Sequence, residues 1–259
     1  MRPLRTAFAA LCLSASAALA NPDVDRLIEA MGVPALITAF SQDGIESGTA
    51  INDTMLQGQG GTVWAETVRK LYDPARLRAE LQDAMAEMLD ESTTAQALLF
   101  FESDIGVKII DLEVQARQAM QNPDLEAAAR AAGAGAGPAV TQFLDLRDLV
   151  TRNTDAAVMA QTAFFAGIAE TSLRSATPPD VEAQRPAIME ETSAWLHGYY
   201  TLIQSPMTAD EIETYTGFWA TDVGQALDDA LFDAFAQSYA TLSYGLGQAA
   251  GALMPENEL

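Results

Sequence analysis

His197 is the one histidine of the chain, and it shares a helical face with Glu190 and Ser193 through steps of seven and four residues. Serine, histidine and a carboxylate are the residue types of a nucleophilic relay, in which the imidazole takes the hydroxyl proton. A serine one turn away on the same helix seldom aligns with the ring for that transfer. The spacing therefore predicts an ordinary helix histidine bonded to a neighbour, and hydrolysis through His197 and carboxylates is the least favoured reading. Acid pairs stand at Asp90-Glu91, Glu190-Glu191, Asp210-Glu211 and Asp228-Asp229. Such pairs serve glycoside hydrolysis or Ca²⁺ binding, but no twelve-residue calcium loop accompanies them. In a chain with 36 acids against 14 bases, solvated faces are their expected place.

The methionines are scattered from Met31 to Met254 and read as core fillers, not as a soft copper site. The glycines of Gln57-Gly58-Gln59-Gly60-Gly61 form a loop with no following Gly-Lys-Ser/Thr, so they do not make a phosphate cradle. No catalytic, metal or cofactor residue is assigned, no cofactor is expected, and the chain is read as a non-enzyme.

Met1 to Ala20 carry Arg2 and Arg5, an apolar run from Ala7 to Leu13, and Ala18-Leu19-Ala20. This is the order of a secretory signal, with cleavage after Ala18-Leu19-Ala20 and a mature chain starting at Asn21. A lipoprotein modified at Cys12 and a membrane anchor are the rivals. Leu11 is a poor residue before a lipidated cysteine, and the apolar run is short of the roughly 20 residues of a span. Removal of the signal takes away the single cysteine and two arginines, moving the net charge from −22 to −24. An exported chain without thiols must be held by packing alone. Its charge repels nucleic acid and anionic surfaces and favours cationic ligands or solubility. With two lysines among plentiful arginine and alanine, a Gram-negative periplasm is the expected compartment, with no membrane span in the mature chain.

Apolar residues recur at steps of three and four between a few clear breaks, which predicts an all-α protein. Helices are expected near 23–31, 33–55, 62–72, 74–89, 91–103 and 105–120, with a short one after Pro123. Further helices follow near 139–151, 154–174, 180–204, 209–220 and 222–252, the third introduced by Pro178-Pro179-Asp180. Thr208-Ala209-Asp210-Glu211 reads as a capping box. Between the two sets lies Ala132-Gly133-Ala134-Gly135-Ala136-Gly137-Pro138, read as a flexible hinge.

The two sets resemble each other. With Phe218 set on Phe100, Phe100-Phe101-Glu102-Ser103-Asp104-Ile105-Gly106 aligns with Phe218-Trp219-Ala220-Thr221-Asp222-Val223-Gly224, and Asp111 falls on Asp229. Upstream, Leu77, Leu81 and Met85 fall on Trp195, Tyr199 and Ile203 at helical spacing, and Asp90 on Thr208. The shared unit is a corner: a helix ends after an aromatic pair, Ser103 or Thr221 caps the next with Asp104 or Asp222 beside it, and Gly106 or Gly224 lets the helices approach. The expected organisation is a signal at 1–20, a first repeat at 21–131, the hinge at 132–138, a second repeat at 139–254 and a tail at 255–259. The fold is then a tandem duplication of an antiparallel multi-helix unit.

Phe218-Trp219-Ala220-Thr221-Asp222-Val223-Gly224-Gln225 resembles the signature of the bacterial periplasmic domain of unknown function 2059, an aromatic pair followed by Ser-Pro-x-Gly-Gln, with Asp222 in place of proline. The Thr208 cap ten residues earlier is similar to that family's helix entry, whereas the first copy departs further, with Val107 in place of Gln. The resemblance implies a helical exported domain and carries over no catalytic residue.

The last helix sets Phe232, Phe235, Tyr239, Leu242, Leu246, Ala249 and Leu253 along one seam. Another helix of the same chain is expected to cover it, with a homo-oligomer or partner surface as the alternative; Gly245, Gly247 and Gly251 allow close approach. The preferred function is a module that binds a protein or peptide in a groove between the repeats. The alternative is carriage of a small apolar or cationic ligand in a cavity lined by aromatics such as Phe164, Phe165, Trp195, Tyr199, Tyr200, Phe218 and Trp219.

Overall fold

The structure is a computed structural model that describes residues 22–171 and 179–254. The signal with its cleavage residues Ala18, Ala20 and Asn21, the Pro178 helix entry and the 255–259 tail lie outside the described residues. The protein is all-α, and no strand occurs among the described residues. The first seven helices are α1 (Pro22–Ala30), α2 (Val33–Thr54), α3 (Gly61–Leu71), α4 (Pro74–Met88), α5 (Glu91–Phe101), α6 (Asp104–Met120) and α7 (Pro123–Gly133). They are followed by α8 (Pro138–Leu146), α9 (Leu149–Thr171), α10 (Arg185–Gln204), α11 (Ala209–Trp219) and α12 (Asp222–Leu253).

The helix starts follow from local chemistry. Asp73, Asp90, Ser103, Asn122, Thr208 and Thr221 each turn a side-chain oxygen onto first-turn N–H groups that have no partner within the helix. Thr208 and Glu211 form the expected reciprocal capping box. Pro74, Pro123 and Pro138 occupy first-turn positions where the missing N–H is no loss.

Three boundaries differ from the sequence reading, the first being the helix expected over 180–204, which begins at Arg185 after a short 3-10 turn at Glu182–Gln184. The break expected near 152 falls at Arg147-Asp148, between α8 and α9, with Asp148 left-handed at φ 47°. Asn153 does not interrupt α9, because its amide donates to the Leu149 carbonyl one turn back, at 2.8 Å. Gly133, read as part of the hinge, ends α7 inside a helix contact: a Cβ there would lie 2.4 Å from the Gly198 backbone nitrogen on α10. The helical pattern does stop there, but one glycine of the run serves as packing surface.

The spine is the pairing of α9 with α12. Arg152 meets Asp228 and Asp229 near the start of both helices, Phe164 lies against Gly247, and Ile168 against Gly251. Contacts that advance together along both chains mean the helices run side by side in the same direction. Backbones touch at the far end, where a Cβ on Gly247 would sit 2.0 Å from the Phe164 carbonyl oxygen and one on Gly167 would sit 2.2 Å from that of Tyr244. The face of α12 that carries Gly247 and Gly251 thus meets α9, while α3, α4 and α5 also pack on α12, and Leu242 and Leu246 of its seam are buried. One continuous apolar core, from Val24 to Ala250, includes residues of both sets of helices.

Gly247→Ala should cost about 2 kcal/mol, because two backbones must separate to admit the methyl group. Gly245→Ala meets only the movable tip of Leu71, at 3.1 Å, and should change stability by less than about 1 kcal/mol, since alanine is the better helix former. Urea midpoints of the two variants check the contrast, and equal losses would contradict the backbone contact.

Candidate functional site

The expected corners fold as twin structures. Ser103 accepts from the Gly106 N–H at 3.1 Å and donates to the Phe100 carbonyl at 2.6 Å; Thr221 does the same with Gly224 at 3.0 Å and Phe218 at 2.6 Å. A Cβ on Gly106 or Gly224 would sit 2.1 or 2.2 Å from the corresponding carbonyl oxygen. Asp104 and Asp222 open the two following helices, where a negative charge is favourable. The corners face each other: Phe100 stacks on Phe218 at 4.0 Å, and Phe101 meets Trp219 edge-on at 6.1 Å. These residues build the fold, and only Trp219 also reaches a cavity.

That cavity, of about 260 Å³, lies where α6, α10, α11, α12 and the Arg147 turn converge. Arg147 enters from the turn, and its guanidinium grips Asp228 with Nη2 at 2.5 Å and Nε at 3.2 Å. It also lies over the Trp219 ring at 3.8 Å. Arg152 reaches the same carboxylate at 3.6 Å and Asp229 at 3.0 Å, while covering the Phe232 ring at 4.1 Å. Both arginines are thereby paired and stacked. The Trp219 Nε1 is buried without an acceptor among the described residues, so this ring contributes its face, not a hydrogen bond.

Glu113 is the other charged side chain of the cavity wall, and it has no ion pair among the described residues. It accepts a hydrogen bond from Tyr215, and its backbone carbonyl accepts one from the Tyr199 hydroxyl at 3.1 Å. The rest of its carboxylate has no hydrogen-bond partner among the described residues, and the residue is half-buried in the cavity wall. Burial pushes its pKa above the ordinary glutamate value, against the opposing effects of the Tyr215 hydrogen bond and the Arg147 charge. Burial also raises the pKa of Tyr199, Tyr200 and Tyr215, so the three phenols stay neutral. Tyr215 is fully enclosed and stacks on Phe143 at 4.6 Å; Tyr199 rests on Trp195 at 4.9 Å.

A second cavity, of about 250 Å³, adjoins the first and shares Asn153, Phe232 and Phe235 with it. Its walls are almost wholly apolar: Ile37 and Phe40 on α2, Leu77 and Leu81 on α4, Ala156 and Ala157 on α9, and Ala236 on α12. The first part of the α12 seam, Phe232, Phe235 and Tyr239, therefore borders empty space, whereas Leu242 and Leu246 are buried.

Of the aromatics expected to line a cavity, Tyr199, Tyr200 and Trp219 line the polar chamber. Phe218 is stacked in the corner, Trp195 backs Tyr199, and Phe164 and Phe165 pack on each other. The Asp228-Asp229 pair is split: Asp229 is exposed, but Asp228 is buried at 4% exposure, because Arg147 compensates its desolvation. His197 accords with the ordinary reading, with Nδ1 2.8 Å from the Ser193 carbonyl and 3.4 Å from its hydroxyl. A ring nitrogen that donates to that carbonyl cannot take the serine proton.

Sequence reasoning missed Glu113, Arg147 and Tyr215. Glu113 carried a signal, since it falls on the helical stripe of Gly106, Ile109, Ala116 and Met120, where a carboxylate is out of place. Among the described residues, no cluster of His, Cys, Asp and Glu could hold a metal ion, and no helix is long and apolar enough to cross a membrane. Comparison with protein-family models, with curated proteins and with solved structures returns no match for this chain.

Glu113→Gln keeps an acceptor for Tyr215 and removes the charge. Native Glu113 holds its proton to higher pH than the unfolded chain does, so its contribution to stability falls as the pH rises above the unfolded value of 4.5. Relative to wild type, the variant should gain stability progressively above that pH and gain none near pH 4. Urea midpoints from about pH 4 to about pH 8 check this; a difference independent of pH would sink it.

Proposed function

We propose that the protein is a non-enzymatic, exported carrier that encloses one small, mainly apolar ligand in the two-chambered cavity. The observation that carries this reading is the adjoining pair of cavities, one apolar and one ending in Glu113, Tyr200 and Asn153. A chain that needed only stability would fill such space, because each unfilled volume weakens packing. An apolar chamber with a few convergent polar groups at one end is the usual form of a small-molecule site. The export expected from the first twenty residues would put this carrier in the periplasm. We read the twin corners as copies of one duplicated unit, related to the domain of unknown function 2059, and the arginine and carboxylate pairs as structural, not catalytic.

Docking of a protein or peptide is the second reading. It is favoured by an open groove of about 1280 Å³ between α8 and α11, walled by Ala136, Pro138, Ala139, Gly217 and Ala220 with few charges. Native mass spectrometry of protein purified from its own host separates the two: a retained small molecule favours the cavity, and a retained polypeptide the groove.

The neutral apolar dye N-phenyl-naphthylamine should bind at one site per chain with increased fluorescence. Ala236→Trp, which fills the apolar chamber, should abolish the increase while the folded helical signal persists. Dye binding unaffected by Ala236→Trp, and also by the smaller change Ala157→Leu on the opposite wall, would refute the cavity as the site.

A further inference from the structure

Resting on the carrier reading above, we infer that the ligand is an alkylamine, its ammonium group held at Glu113 in the polar chamber and its chain lying in the apolar one. The charges around the cavity are the ground for this. Arg147 and Arg152 are committed to Asp228 and Asp229, so the two cations and two anions already offset one another. Glu113 is left as a half-buried carboxylate with no ion pair among the described residues, turned to a cavity and hydrogen-bonded to a neutral phenol. An uncompensated buried charge is unfavourable and is relieved by a partner of opposite sign. A ligand carboxylate would instead meet a guanidinium whose Nε and Nη2 are already engaged with Asp228, with Nη1 against the Tyr200 hydroxyl at 3.5 Å.

The acceptors available suit a hydrogen-bonding ammonium better than a quaternary one. The free part of the Glu113 carboxylate is one. Asn153 uses its amide nitrogen on the Leu149 carbonyl, which leaves its oxygen as a second. The Tyr200 hydroxyl, 3.5 Å from Arg147, is a third polar group on the same wall. A quaternary ammonium would need open aromatic faces, but Arg147 covers a face of Trp219 and Arg152 a face of Phe232. Asn153, Phe232 and Phe235 belong to both chambers, so a chain attached to the ammonium passes directly onto apolar surface.

The experiment is displacement of the bound dye by octylamine, octanol, octanoate and octyltrimethylammonium, at neutral pH, on the full chain and on Glu113→Gln. A charge-assisted hydrogen bond to Glu113 should make octylamine bind about tenfold more tightly than octanol. The other two ions should be weaker than octanol, and the amine preference should shrink to within about twofold in Glu113→Gln. Thermal melting confirms that this variant is folded, and Tyr200→Phe gives a second, milder change with the same expected direction. Equal affinity for octylamine and octanol overturns the inference and leaves apolar carriage standing, as does tightest binding of octanoate or octyltrimethylammonium. An amine preference that persists in Glu113→Gln belongs to the acidic surface and also overturns it. Binding of none of the four, with no dye bound either, removes the carrier reading itself.

Discussion

A guanidinium leaves water only when acceptors replace what it loses, and a carboxylate leaves only when donors do the same. Arg147 and Asp228 meet both conditions for each other, and their bond fixes several parts at once. It holds the α8–α9 turn against the middle of the structure, where Asp148 takes a left-handed backbone that, glycine aside, short polar residues adopt at least cost. It also sets Arg147 on Trp219, which belongs to one of the two aromatic corners, and so ties that corner to α12. Without Arg147, Asp228 would keep only the longer contact to Arg152 at 3.6 Å, and the turn would have no reason to face inward.

From that anchor the cavity follows as a packing consequence. The Arg147 guanidinium lies over the Trp219 ring, and Arg152 lies over Phe232 about one turn along α12 from Asp228. These stacks stand as walls, with space left between them and the helices α2, α4 and α6. The aromatic corners lie beyond, closed by ring-on-ring contact, and keep the ends of α5 and α11 together. Rigid walls around unfilled volume are what distinguish a cavity kept open from one that collapses.

Helix positions were legible in the sequence because they depend on neighbours in the chain: caps, first-turn prolines and apolar steps of three and four residues. The corner residues were legible for the same reason, as Ser103 with Gly106 and Thr221 with Gly224 act within one turn of themselves. What escaped depends on distant partners. Arg147 carries no local sign of its burial, which depends on Asp228 coming against it, and Asp228 is expected on a solvated face because acid pairs in so acidic a chain usually lie there. Glu113 alone betrayed itself, by interrupting an apolar stripe. The glycine run after Ala132 misled in one position, because a residue without a side chain can mean either freedom or contact, and Gly133 is a contact with α10.

The parallel pairing of α9 with α12 bears on how the molecule is made. α12 is the last helix described, and it touches α3, α4 and α5 as well as α9, across sequence separations that include most of the chain. Contacts so remote are slow to form, since long loops must close before they contribute. The packing of α3, α4, α5 and α9 is therefore completed only when α12 docks among them. The topology thus makes cooperative packing of the core depend on the contacts that close the longest loops among the described residues.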